Sequence, residues 1–106
     1  MGDIHELKCQ EKYFEAALND GKTAEFRIND RDYKQGDVMV LNEVRKLTFA
    51  SVVEVDAYYY EYKKTGRAMI CLITNVTKIN DVHHELEKLP EFVVISFRVV
   101  RVGERK

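Results

Sequence analysis

Gly21-Lys22-Thr23-Ala24-Glu25-Phe26-Arg27-Ile28-Asn29-Asp30-Arg31-Asp32-Tyr33, closed by Gly36-Asp37, is the stretch on which the reading of this chain turns. Taken as a strand it alternates with period two: Ala24, Phe26 and Ile28 point one way, and Thr23, Glu25, Arg27 and Asn29 point the other. The apolar set is the expected core face. The polar set places an anion, a cation and two hydrogen-bonding side chains on one face, spaced roughly 7 Å apart at about 3.3 Å rise per residue. Such a face can grip a polar ligand. It can also be a solvated outer face on which Glu25 and Arg27 pair with neighbouring strands.

Upstream, Ile4 to Cys9 reads as a short strand with His5 and Leu7 on one face and Glu6 and Lys8 on the other. From Glu11 to Asn19 the apolar positions Phe14, Ala17 and Leu18 recur at helical spacing with Tyr13 on their flank, and Asn19-Asp20-Gly21 supplies a helix end. Downstream, Asn29-Asp30-Arg31-Asp32 has the Asx-turn chemistry that stops a strand. Gly36 offers a positive-φ position before the apolar strand Val38 to Leu41. The order is β-α-β-turn-β.

Val44 to Lys64 is an inserted hairpin or a short helix plus loop, and Thr65-Gly66 reads as a turn into a strong strand, Arg67 to Val76. Asn80 to Lys88 can hold a helical turn, limited by Pro90. The last strand, Phe92 to Val102, is apolar on both faces until Arg98 and Arg101, which makes it central or part of a closed barrel.

The 106 residues suffice for one domain, 1–106, with a modest core and no need of a disulfide or metal staple. Lys+Arg 17 against Asp+Glu 18 gives a net charge of −1, without the basic excess that binding to long nucleic acid favours. No stretch is apolar long enough to span a bilayer, and Met1 to Glu6 lacks the basic start and apolar run of a signal peptide, so a cytoplasmic protein is expected. Cys9 and Cys71 form no Cys-x-x-Cys pair, and Cys71 lies in an apolar run; both are expected to be reduced and packed. His83-His84 would point apart on a strand, with no third ligand spaced to complete a site, so neither a metal nor a cofactor is expected.

Several of these residues together resemble the ASCH domains of the PUA-like superfamily, and within them a bacterial and phage group. The resemblance is carried by His5-Glu6-Leu7-Lys8, by Lys22 to Arg27 with Asn29-Asp30-Arg31, Tyr33 and Gly36-Asp37, by Tyr62 with Thr65-Gly66-Arg67, and by Val93 to Phe97. Residues 44–57 look longer than the corresponding connection in such domains, as an insertion would. The resemblance implies an α+β, mainly β fold: a small, mostly antiparallel β-barrel with one or two short helices. It also implies a cleft beside Gly21-Lys22-Thr23 that takes RNA or a nucleotide-like ligand. In one subgroup of this family a lysine in the same context, a threonine three residues on and a later glutamate are similar to an amidohydrolase triad acting on acylated cytidine. Lys22 matches the lysine, but the position three beyond it is Glu25, so the hydroxyl is missing. Asp81, Glu85 and Glu87 all lie near the place of the later glutamate.

The residue types support the binding reading. Lys22 is a mobile charge suited to phosphate, Arg27 offers planar bidentate contacts, and Glu25 accepts from an exocyclic amine or a ribose hydroxyl. With Thr23, Asn29, Arg31 and Tyr33 they make up the expected ligand site. The alternatives are a small hydrolase, amidohydrolase or ribonuclease, using Lys22 with Glu25, and a protein-partner module. Tyr58, Tyr59, Tyr60 and Tyr62 beside Lys63-Lys64 have the composition of a single-strand binding surface; the plainer reading is a hairpin whose alternate tyrosines pack on the barrel.

Overall fold

The structure is a computed structural model that describes residues 2–50, 58–79 and 90–105. Its elements are β1 (Ile4–Gln10), α1 (Glu11–Asn19), β2 (Ala24–Ile28), β3 (Val38–Ala50), β4 (Tyr58–Lys78) and β5 (Phe92–Glu104). They form one five-stranded mixed sheet in the order β1-β3-β4-β5-β2. Only β1 and β3 run parallel; the other neighbours are antiparallel. The fold is α+β and mainly β, as the sequence indicates.

Buried Leu7 and Cys9 of β1, Met39 and Leu41 of β3, Met69, Cys71 and Ile73 of β4, and Val93, Ile95 and Phe97 of β5 make one apolar core. Helix α1 covers it with Phe14 and Ala17. The helix ends where the sequence indicates: the Asp20 and Lys22 amides both donate to the Ala16 carbonyl, and Gly21 takes φ +65. Gly36, at φ +91, lets the loop before β3 fold against β4, where its amide donates to Ile73 and the Ile73 amide donates back to Asp37.

Two elements depart from expectation. Thr65-Gly66 is no turn: β4 runs through it, and between the pairs Asn42↔Ala68 and Val44↔Lys64 one residue of β3 faces three of β4. Gly66 at φ +96 supplies the bulge, which bends the two long strands. Beyond it, β3 and β4 continue as a hairpin arm from Val44↔Lys64 to Ala50↔Tyr58, with no helix in the described part. Tyr60 and Tyr62 of that arm do not pack on the core, since they are 61% and 44% exposed. Asn80 to Lys88, with His83, His84 and the three candidate acids, and residues 51–57 lie outside the described residues.

The second departure is the orientation of β2. Its period-two alternation holds, but the faces are exchanged: Phe26 and Ile28 are 64% and 50% exposed, while Glu25 and Arg27 turn inward. The register explains why. Glu25 and Arg27 pair with Ile95 and Val93, whose side chains belong to the core, whereas Phe26 lies on the outer face, stacked on Phe92 at 5.4 Å and 9°. Inward charges on an edge strand also discourage pairing with other chains.

Candidate functional site

The sheet curls until its edge strands β1 and β2 face one another without a backbone ladder, and Arg27 spans the gap. Its Nη2 donates to the Lys8 carbonyl at 2.7 Å, and its Nε donates to Glu25 Oε2 at 2.7 Å. The pair is about three-quarters buried or more, with side-chain exposures of 26% and 15%. Cys9 Sγ, 3.9 Å from Glu25 Oε1, makes a further contact across the gap.

Beside this bridge opens a cleft of about 550 Å³, the size range of small-molecule sites. Leu41, Phe97 and Ala17 line it with apolar surface, Glu25 and Arg27 form a polar wall, and Lys8, Lys22 and Tyr13 complete it. Lys22 is exposed and held by its own amide on the end of α1, so the helix stop fixes where that charge stands. Burial, reinforced by the Glu25 charge, pushes the Cys9 thiol up to about 12, which makes it a protonated wall rather than a nucleophile. Cys71, fully buried, is likewise pushed up to about 12. Both cysteines are free.

On the other side of the bridge lies a second hollow of about 320 Å³, which shares Lys8 and Arg27 with the cleft and adds Arg31 and Lys64 as cations and Glu6 and Asp30 as acids. The residues singled out in the sequence therefore part company. Lys22, Glu25 and Arg27 meet in the cleft, and Arg31 reaches the adjoining hollow. Thr23 is half-buried, and its carbonyl accepts from the Phe97 amide. Asn29 is a turn-former: its Oδ1 accepts from the Tyr33 amide at 3.1 Å and its Nδ2 donates to Glu91. Tyr33 is 3% exposed with its ring 4.8 Å from that of His5, so no face is left for a base to stack on.

Sequence reasoning missed Lys8, Gln10, Tyr13 and Phe97, which reach the cleft only because β1 is brought opposite β2. It also missed a buried latch whose His5 lies against Tyr33, a residue of the second hollow's wall. His5 Nε2 lies 2.8 Å from Asp37 Oδ2, and Asp37 further accepts from the Asp3 and Lys34 amides. Burial works to raise the Asp37 pKa, but those hydrogen bonds outweigh it and hold the carboxyl below its ordinary value. The inward setting of His5 beside Leu7 was the available signal. Among the described residues no cluster of His, Cys, Asp and Glu could hold a metal ion, and no helix is long and apolar enough to cross a membrane.

A family described as a domain of unknown function (DUF3850) matches residues 4–97, and the chain belongs to it. The chain is also similar to an uncharacterized 12.9 kDa protein in the GpA 3′ region of Escherichia phage P2, at 37% identity over 81 residues. That match covers 76% of this chain and spans 61% of the length of the phage protein.

Proposed function

We propose that this member of the DUF3850 family is an ASCH-like, PUA-type reader that binds RNA or a nucleotide-like ligand in the cleft between β1 and β2, acting in the cytoplasm. The observation that carries the reading is the inward Glu25–Arg27 pair. A small domain has turned an acid and an arginine toward an open cleft while leaving Phe26 and Ile28 outside. In this reading Glu25 Oε1, whose described contact is only a weak thiol donor, accepts from a base amine or ribose hydroxyl. Arg27 contributes its remaining guanidinium donors, Lys22 and Lys8 meet phosphate, and Tyr13, 47% exposed, offers a ring to the base.

Binding without turnover fits the residues better than hydrolysis. Where the amidohydrolase pattern has a hydroxyl, this chain has Glu25, and Glu25 is engaged by Arg27 as a charged acceptor. A backbone-amide NMR titration with nucleosides, nucleotides and a short single-stranded RNA, alongside Lys22→Ala and a turnover assay, tests this. Shifts clustered at Lys22 to Arg27 and weakened in the variant are expected; turnover would make the protein an enzyme, and an unmoved spectrum would end the nucleotide reading.

A further inference from the structure

The arm formed by the distal halves of β3 and β4 is unexplained by the cleft. In its register Lys46 faces Tyr62 and Thr48 faces Tyr60, so these four side chains share one face of the ribbon with Lys64 at its base. All five are exposed. From Val44 to Thr48 and from Tyr60 to Lys64, no acid stands on that face; Glu61 pairs with Leu47 on the opposite one. The Lys46 ammonium lies 3.9 Å from the Tyr60 ring centroid, which backs one side of the ring with a cation and leaves the rest open. Tyr60 and Tyr62, two residues apart on a strand, stand roughly 7 Å from each other. Rings at that spacing can each take one base.

Two observations say what covers this face. Its charge is wholly positive, although the chain as a whole is nearly neutral. It is also continuous with the candidate site: Lys64 belongs both to the base of the arm and to the hollow that shares Lys8 and Arg27 with the cleft.

We infer that the Lys46–Tyr60–Tyr62–Lys64 face is a second contact surface for single-stranded RNA, continuing the path of a strand whose one nucleotide is held in the cleft. The inference rests on the proposed cleft reading and narrows its ligand from a free nucleotide to a strand of several nucleotides. Phosphates pass Arg31, Lys64 and Lys46 while bases stack on Tyr62 and Tyr60. Each stacked ring is expected to tighten binding about fivefold to a hundredfold, with affinity falling as salt rises.

The test compares a fluorescently labelled single-stranded RNA of about ten nucleotides, within the usual span of such sites, with the nucleoside monophosphates. Each is titrated into the full chain, the Tyr60→Ala/Tyr62→Ala variant and the Tyr60→Phe/Tyr62→Phe variant. The alanine variant should bind the RNA at least tenfold more weakly and the monophosphates as the parent does. The phenylalanine variant, which keeps the rings, should retain RNA binding, and matching melting curves exclude a folding defect. If the alanine variant binds RNA like the parent while monophosphates still shift Lys22 to Arg27, the arm proposal falls and the cleft reading stands. If the RNA depends on the tyrosines but nothing shifts the cleft, the arm is an RNA surface and the cleft reading falls. If the parent does not bind the RNA, the arm proposal is overturned.

Discussion

Two acid–arginine pairs on the same sheet, Glu43–Arg67 and Glu25–Arg27, use the same chemistry to opposite ends. Glu43 is 4% exposed and saturated: it accepts from Thr65 Oγ1 at 2.6 Å and from Arg67 Nε and Nη2 at 3.2 and 2.7 Å. Arg67 also binds Glu15 of α1 and lies 4.8 Å over the Phe14 ring. The bulge at Thr65-Gly66 creates this cluster by giving β4 the extra residues that converge on Glu43. The Arg67 hydrogen bond is the main influence holding the Glu43 carboxyl below its ordinary value, against the opposing effect of burial, and the two acids in turn raise the Arg67 pKa. Glu25 has one guanidinium bond and one weak thiol contact, and among the described residues Arg27 uses only Nε and Nη2. A saturated pair staples helix to sheet. An unsaturated one beside a cleft has capacity left for a ligand.

The contrast can be broken most decisively at Arg67. Arg67→Ala leaves Glu43 buried without its cation and is expected to cost about 3 kcal/mol of stability, read from urea unfolding. Arg27→Ala should cost about 1 kcal/mol or less, because that pair is partly wetted and Glu25 can turn toward solvent, yet it should abolish the ligand-induced shifts around Lys22. Equal losses of stability would erase the distinction between staple and site. A smaller effect follows from acid. Glu43 and Asp37 both have folded pKa values below their ordinary ones, so their stabilisation is complete above the ordinary carboxylate range, about pH 4, and drains away as pH falls through the lowered values. Glu43→Gln should flatten that acid limb in a series of melts, and an unchanged limb would leave Asp37, paired with His5, and Glu6, held below its ordinary value by Arg105, as its sources.

The sequence carried the helix and the alternation well, and lost what depends on which elements become neighbours. Phe14, Ala17 and Leu18 at helical spacing and a glycine after Asp20 define α1 from local chemistry alone. Alternation likewise shows that Glu25 and Arg27 share a face. It cannot say that the face is the inner one, since that follows from β2 joining β5 at an edge and bringing Glu25 opposite Ile95. Thr65-Gly66 has turn chemistry, but the partner strand runs on past it, and a glycine with positive φ serves a bulge as well as a turn. Tyr33 illustrates the same limit: its neighbours Arg31 and Asp32 are exposed, whereas the tyrosine reaches His5 across the loop.

The strand order has a kinetic consequence. Strands β3, β4 and β5 are antiparallel neighbours consecutive in the chain, whereas β2 must wait for β5, Ala24 meeting Ser96, and β1 docks in parallel only once β3 exists. Loop closure favours the central meander as the early folding unit and leaves both margins to assemble last. The cleft is the seam between those two margins. By the same logic it is the first part of the molecule to come apart, so amides of β2 should exchange with deuterium by a lower-energy opening than those of Met69 to Ile73, and a bound strand that clasps both margins would slow them selectively.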